Sequence, residues 1–450
     1  MIPTEPAAIA AAWVLHRSVR FMARMFPSLR RLPLRLRTAD TPAALIFLLR
    51  WLLICGLIGL MAGSASALFL VALDWVTRWR ELHPEVLLLL PVAGLGIGLV
   101  YHYWGGRAAR GNNLILDEIH QPSARLPLRL VPLVLGSTLL THLAGGSAGR
   151  EGTAMQMGSA LADQLTRLFR LRPHNRRLLL IAGMSAGFAS VFGTPLAGAV
   201  FGLEVFLLGS IRYEAVLPAF LAAVAADFVT RSWGVGHTAY PQLAALPLTP
   251  LGLGCTLLAG ALFGLTARSF ATLTHWITRQ FTRLQYAPLR PVAGGLLLLL
   301  ILWGLGTTRY QGLGIPVIVE AFQRPLPPQD FAWKLLLTAL TLGCGFKGGE
   351  VTPLFFMGAA LGSALALVLP LPVALLAAMG FVAVFAGAAN TPLACTLMGL
   401  ELFGAEAGVY LGLACVVAYL FSGHRGIYSA QVIGEVKHRW PARQQGSGEE

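Results

Sequence analysis

The sequence predicts an all-α, polytopic integral membrane protein made of two related halves whose helices are often broken or tilted. Three observations carry that prediction. Of 450 residues, 56% are hydrophobic and 12% charged, where a soluble domain carries about 25% charged residues. The apolar stretches are interrupted by 50 glycines and 27 prolines. The chain also repeats itself at long range.

Along the chain, residues 1–41 form a basic segment. Its opening Pro6 to Leu15 is apolar, but no basic region precedes it and an arginine-rich stretch follows. It reads as an uncleaved cytoplasmic or interfacial helix rather than a secretory signal. Spans need about 20 apolar residues, and suitable stretches recur from Ala43 to Val76, Val86 to Trp104, Leu126 to Ala144, Leu178 to Leu207, Ala215 to Val229, Leu251 to Phe270, Val292 to Leu305, Leu335 to Leu342 and Leu354 to Phe421. About ten or more crossings are expected. Several stretches are too short to span straight, and interrupted helices at membrane depth point to a transport pathway.

The net charge of +14 comes from arginines lying between apolar stretches, not from one basic stripe with interleaved aromatics, so no nucleic-acid partner is expected. Arg17, Arg20, Arg24, Arg30, Arg31, Arg35 and Arg37 precede the first span, and Arg167, Arg170, Arg172, Arg176 and Arg177 precede another. The positive-inside rule assigns both regions to the cytoplasm, and the expected location is the inner (plasma) membrane of a bacterial-type cell with both termini cytoplasmic. Five cysteines, Cys55, Cys255, Cys344, Cys395 and Cys415, lie in apolar stretches without metal-ligand spacing, so they read as core residues and no metal or cofactor is expected.

Ala182 to Phe206 matches Met379 to Phe403 at twelve of 25 positions, including Thr-Pro-Leu-Ala and Gly-Leu-Glu blocks. Chance in this composition gives about two or three. Nearly the same offset pairs Gly149-Arg150-Glu151-Gly152-Thr153 with Gly348-Gly349-Glu350-Val351-Thr352. The halves run over about 42–230 and 245–423, and residues 424–450 are expected to form a C-terminal helix and polar tail with no regulatory domain. Such halves in transporters are commonly inverted, with substrate at their interface.

Glu151 lies in Gly145-Gly146-Ser147-Ala148-Gly149-Arg150-Glu151-Gly152-Thr153, just before an apolar helical stretch from near Ala154 to Phe169. A carboxylate is thereby presented at a helix N-terminus, where free N–H groups and about half a positive charge attract anions. Side chain and dissolved anion then compete for one site, which is how a gate tied to protonation is built. The alternative is an ion pair with Arg150 or another arginine, but an ionisable group at the bilayer centre costs at least about 2.5–3.5 kcal/mol, which favours function.

Gly-Arg-Glu-Gly at 149–152, Gly-Gly-Glu-Val-Thr-Pro at 348–353 and the Thr-Pro-Leu-Ala repeats resemble the CLC family of chloride channels and anion/proton exchangers, a likeness running from about Ala44 to Val432. The resemblance implies a CLC-type fold of two inverted halves, a homodimer with one pathway per subunit, Glu151 as external gate and proton carrier, and Tyr428 as an anion-coordinating tyrosine. The departures from chloride-selective members are specific. Gly111-Asn112-Asn113-Leu114-Ile115 replaces Gly-Ser-Gly-Ile-Pro, Thr153 replaces the usual proline, Val351 stands where a phenylalanine belongs, and Val205 replaces the inner proton-relay glutamate.

Together these departures resemble the fluoride/proton antiporter branch, which implies fluoride and protons as partners alongside the lipid bilayer, with chloride as an alternative anion. Fluoride is small and strongly hydrated, so its site must supply good donors. Asn112, Asn113 and Thr352 carry amide and hydroxyl donors, although Asn and Thr are also favoured helix caps. The expected anion-binding set is Asn112, Asn113, Thr352, Tyr428, Gly149, Gly152 and Val351. Glu350, the counterpart of Glu151, is the candidate for inward proton relay or for selectivity. Glu204 and Glu401 recur at one repeat position, and serve either protons or twin structural ion pairs.

Enzymatic readings are weaker. Gly145 to Gly149 fits G-x-S-x-G, yet an apolar helix rather than a strand precedes it. H-E-x-x-H and Walker motifs are absent, and Gly94-Leu95-Gly96-Ile97-Gly98 reads as close helix packing. The expected function is secondary active export of fluoride in exchange for protons, with a chloride/proton exchanger or passive chloride channel on the same fold as the alternative.

Overall fold

A computed structural model describes the backbone of residues 40–437 and the side chains of residues 44–437. The N-terminal stretch Pro6 to Leu15 and the arginines before residue 40 lie outside the described residues. The described residues divide into two units between Trp51 and Leu52, and the site and the contacts described below belong to the second.

The helices are α1 (Asp40–Leu82), α2 (Leu90–Val100), α3 (Asn112–His120), α4 (Leu130–Leu143), α5 (Glu151–Leu168), α6 (Pro173–Phe192), α7 (Pro195–Glu204), α8 (Val216–Ser232), α9 (Pro250–Phe281), α10 (Leu289–Leu305), α11 (Ile315–Ala321), α12 (Gln329–Gly343), α13 (Val351–Leu365), α14 (Val373–Ala389), α15 (Pro392–Phe403) and α16 (Gly408–Phe421). Read in order, α1–α8 and α9–α16 are two series of matching helices. Turn residues set the breaks at equivalent places. Gly193 (φ 72°) ends α6 and Asn390 (φ 59°) ends α14, both left-handed, and in each case Thr-Pro follows to start the next helix.

The contacts between the series are reciprocal, as a twofold relation requires. Gly149 and Gly349 form an isolated antiparallel bridge, each donating its N–H to the other's carbonyl at 2.6 and 2.8 Å. A Cβ on Gly94 of α2 would meet the Pro291 carbonyl of α10, and one on Gly295 of α10 would meet Pro91 of α2. The Gly94 to Gly98 run is therefore a packing surface, as expected. Glu204 at the end of α7 accepts from Leu393 N and Ala394 N at 3.1 and 2.9 Å, while Glu401 of α15 accepts from Leu196 N and Ala197 N at 2.9 and 2.8 Å. Each glutamate bonds the start of the other half's helix, so neither structural ion pair foreseen for them is present. Their carboxylates satisfy orphan N–H groups.

The apolar stretches resolve into helices of two lengths, as the short and broken runs in the sequence led one to expect. Among the described residues four helices are long and apolar enough to cross singly, within 44–82, 84–120, 213–232 and 250–281, and seven apolar helices are only 10–17 residues long. The apolar run from Leu354 to Phe421 divides among α13 to α16, because Gly, Asn and Pro end helices that composition alone lets continue. Freed backbone groups at such breaks need cover. The five cysteines are buried.

Beyond α16 the chain is not helical over 424–437. Val432–Ile433 pairs in parallel with Leu207–Leu208, and Gln431 donates to the carbonyls of Val205 (2.8 Å) and Ala389 (3.1 Å). Residues 438–450 lie outside the described residues.

Candidate functional site

Helices α3, α5 and α13 begin close together, and none of the three is capped by the side chain of its own N-cap residue. The Gly149–Gly349 bridge brings the starts of α5 and α13 side by side. Gly152 allows the third approach, since a Cβ there would lie 3.0 Å from the Asn112 amide nitrogen and 3.2 Å from Gly349 Cα. Three sets of orphan N–H groups therefore face a common region, the electrostatic requirement for holding an anion without a metal.

Glu151 occupies that region. It is fully buried, and its carboxylate accepts from Arg150 N at 3.0 Å, from Thr352 N at 3.2 Å and from the Thr352 hydroxyl. Its first-half carboxylate thus sits on the N-terminus of the second half's α13, in the position open to an anion there. Arg150 makes no side-chain ion pair with it, so the ion-pair alternative is not what the structure shows.

Glu350, the repeat counterpart, behaves differently. Its Oε2 is buried without a hydrogen-bond partner and would lie 3.8 Å from a Cβ on Gly152. The side chain borders a cavity of about 300 Å³ whose wall also includes Asn112, Asn113, Gln156, Lys347 and Tyr428. The twofold relation of the backbone is broken where the two carboxylates face different surroundings.

The remaining expected residues divide. Asn112 Oδ1 and the Tyr428 hydroxyl are both buried without partners, and both residues also line a small pocket with Val205 and Phe201. Of these atoms the tyrosine hydroxyl can donate to an anion, whereas the amide oxygen can only accept. Asn113 borders the large cavity, but its Oδ1 accepts from Ala430 N at 3.0 Å, so it anchors the segment carrying Tyr428. Neither asparagine caps a helix, because Gly111 holds the cap position. Gly149 cannot offer its N–H to an anion, since that donor is spent on Gly349. Val351 is buried as the first residue of α13, and Thr153 bonds Thr138 at 2.7 Å.

On the far side of Glu151, a cavity of only about 10 Å³ is bordered by Arg150, Tyr240, Ile315, Thr352 and Phe355. That volume is too small for a hydrated ion, so the space beside Glu350 is the open side and the space beside Thr352 the closed one. The open side is also the arginine-rich side. Arg176 pairs with Asp163 and Glu118 at 2.7 and 3.0 Å, and Arg110 beside the cavity pairs with Asp117 of α3. Arg176 is thus a structural clasp as well as a topology signal.

Sequence reasoning missed Lys347 as a site residue, although it directly precedes the Gly348 to Pro353 motif. Its ammonium lies 4.4 Å over the Tyr101 ring, in the cavity wall with Glu350. An intramembrane cation next to an intramembrane acid was the available signal. The loop before Glu151 is held by Ser147, whose hydroxyl bonds Thr338 at 2.8 Å. Ser147 therefore belongs to a helix-to-helix turn, not to a nucleophile elbow.

Comparison with known proteins places these features among relatives. The sequence model described as voltage gated chloride channel matches residues 93–423. A chloride/fluoride channel protein of Pseudomonas syringae pv. tomato is 55% identical, covering 88% of this chain and 89% of that protein. A proton/chloride exchange transporter of Vibrio vulnificus is 26% identical, covering 89% and 91%. The crystal structure of a CLC-type fluoride/proton antiporter superposes with a TM-score of 0.83 at 36% identity, covering 86% of this chain and 98% of that one.

Proposed function

Because the chain belongs to the voltage gated chloride channel family, a family of membrane anion transporters, we propose that it exports fluoride in exchange for protons, as a dimer in a bacterial-type plasma membrane. The carrying observation is Glu151 on the donors of Thr352. A carboxylate in an anion's place leaves when protonated or when an anion displaces it, so occupancy by fluoride and by a deprotonated Glu151 exclude each other. Coupling follows from that exclusion.

The donor set supports fluoride. Asn112, Thr352 and Tyr428 offer an amide and two hydroxyls, and the related proteins named for fluoride support the same reading. Glu350 is the proton group facing the arginine-rich side, which the positive-inside rule makes cytoplasmic. Gly152 and Val351 contribute backbone N–H groups at helix starts.

The test is flux from liposomes holding the reconstituted full chain, with fluoride, chloride and pH followed together. Fluoride-driven proton movement supports the proposal, and chloride-driven movement of equal size favours a chloride/proton exchanger. Glu151→Gln stays neutral at every pH. It is expected to abolish proton coupling and to slow fluoride exchange severely, so unchanged coupled flux in that variant sinks the mechanism.

A further inference from the structure

The inner proton route is the gap in this reading. Val205 stands where chloride/proton exchangers carry a glutamate, and it is buried, with its carbonyl taken by Gln431 and the next carbonyl, of Phe206, bonded by His120 at 2.7 Å. No titratable side chain stands at that position. Protons delivered to Glu350 therefore leave through the cavity it faces.

His275 on α9 lies in the wall of that cavity and also in the wall of a second, of about 350 Å³, with Arg279 and Arg425. Tyr428 borders both. The imidazole makes no hydrogen bond to the described residues and is partly exposed. Thr274 beside it also lines the Glu350 cavity and has a buried, unpartnered hydroxyl. With Glu350 Oε2 and Tyr428, polar atoms lacking protein partners collect around a space many times the roughly 30 Å³ that one water occupies in the liquid. Such a space carries protons by water.

We propose that His275 is the cytoplasmic proton-transfer residue of the exchange cycle, a role that rests on the antiport reading above. A proton on the Glu350 carboxyl passes through cavity water to one ring nitrogen of His275, and the imidazolium releases the proton from its other nitrogen to the cytoplasm. Glu350 is left as carboxylate and His275 returns neutral. Imidazole is suited to this because its charge changes between about pH 5 and 8.

The charged and titratable groups facing His275 are Arg279 on its own helix, Arg425 and His424 across the second cavity, and Arg110, Lys347, Glu350, Tyr101 and Tyr428 across the first. Helices α13, α14 and α16, packed on α9, carry no Asp, Glu, Lys or Arg. In α12, Asp330 is bound by Arg309 and Tyr310, and Lys334 by the carbonyls of Tyr310 and Gly312. The neighbouring cations favour prompt release of the proton.

The experiment uses the full chain in liposomes, with fluoride-driven proton movement recorded in weak buffer and again with added imidazole. His275→Ala is expected to slow coupled exchange about tenfold in weak buffer, less than the ~10²–10⁴ of a group acting at the reacting bond because water still carries protons. Imidazole is expected to restore most of the rate, and fluoride affinity measured in detergent to stay unchanged. Wild-type rates in His275→Ala, or a deficit that imidazole does not relieve, overturn the proposal. His275→Gln repeats the test with a polar side chain of similar size should the alanine variant not fold. A wild type that moves fluoride without protons overturns the antiport reading itself, which is scored before any variant is compared.

Discussion

At the scale of single residues, the proposed exchange makes Thr352 the residue expected to set anion preference. Its N–H and hydroxyl both bond Glu151, so the donors a fluoride ion needs are the ones the gate occupies. Thr352→Val preserves shape and removes the hydroxyl. A charge-assisted hydrogen bond contributes about 1.5–3 kcal/mol, and at about 1.4 kcal/mol per tenfold the variant is expected to lose tenfold or more of its fluoride-over-chloride preference. Anion-selective flux at fixed pH measures this, and an unchanged ratio removes Thr352 from the anion site. Asn113 makes a contrast. Since its Oδ1 also accepts from Ala430 N, Asn113→Leu is expected to act in part through a displaced Tyr428. The residue type was legible in the sequence; the partner was not, because an asparagine oxygen bonds whichever N–H the fold brings to it.

At the scale of helices, the reciprocal glutamates are the informative case. The repeated Gly-Leu-Glu block was visible as a repeat, yet its purpose appears only when α7 and α15 are seen with each carboxylate on the other's first N–H groups. Replacing an N-terminal cap costs about 0.5–2 kcal/mol. Glu401→Ala is therefore expected to lower thermal stability in detergent while leaving fluoride/proton coupling in place. Loss of coupling at undiminished stability contradicts a structural role. The same scale explains the short helices. Gly193 and Asn390 adopt left-handed backbone at equivalent breaks, a conformation glycine takes freely and asparagine tolerates. Hydrophobicity alone does not register these stops.

At the scale of the whole molecule, each chain carries its own Glu151 and Glu350 and a cavity bordered by Glu350. In the proposed dimer the pathways act independently. Mixed dimers with one Glu151→Gln subunit are expected to keep about half of the wild-type flux, since independent sites add. Near-complete loss points to a shared pathway.

By itself the sequence determined the membrane-spanning class, the two related halves and the presence of a glutamate at a helix start in each, because apolar stretches, turn residues and repeated motifs are local properties written along the chain. It did not determine which N–H groups are already spent, as at Gly149, or that Glu151 rests on Thr352 some 201 positions away. Nor did it show that Glu350 faces a cavity while its counterpart is enclosed. Those are properties of contacts between distant segments. Only the tertiary structure sets them, because burial and hydrogen-bond satisfaction depend on what the other half places alongside each group.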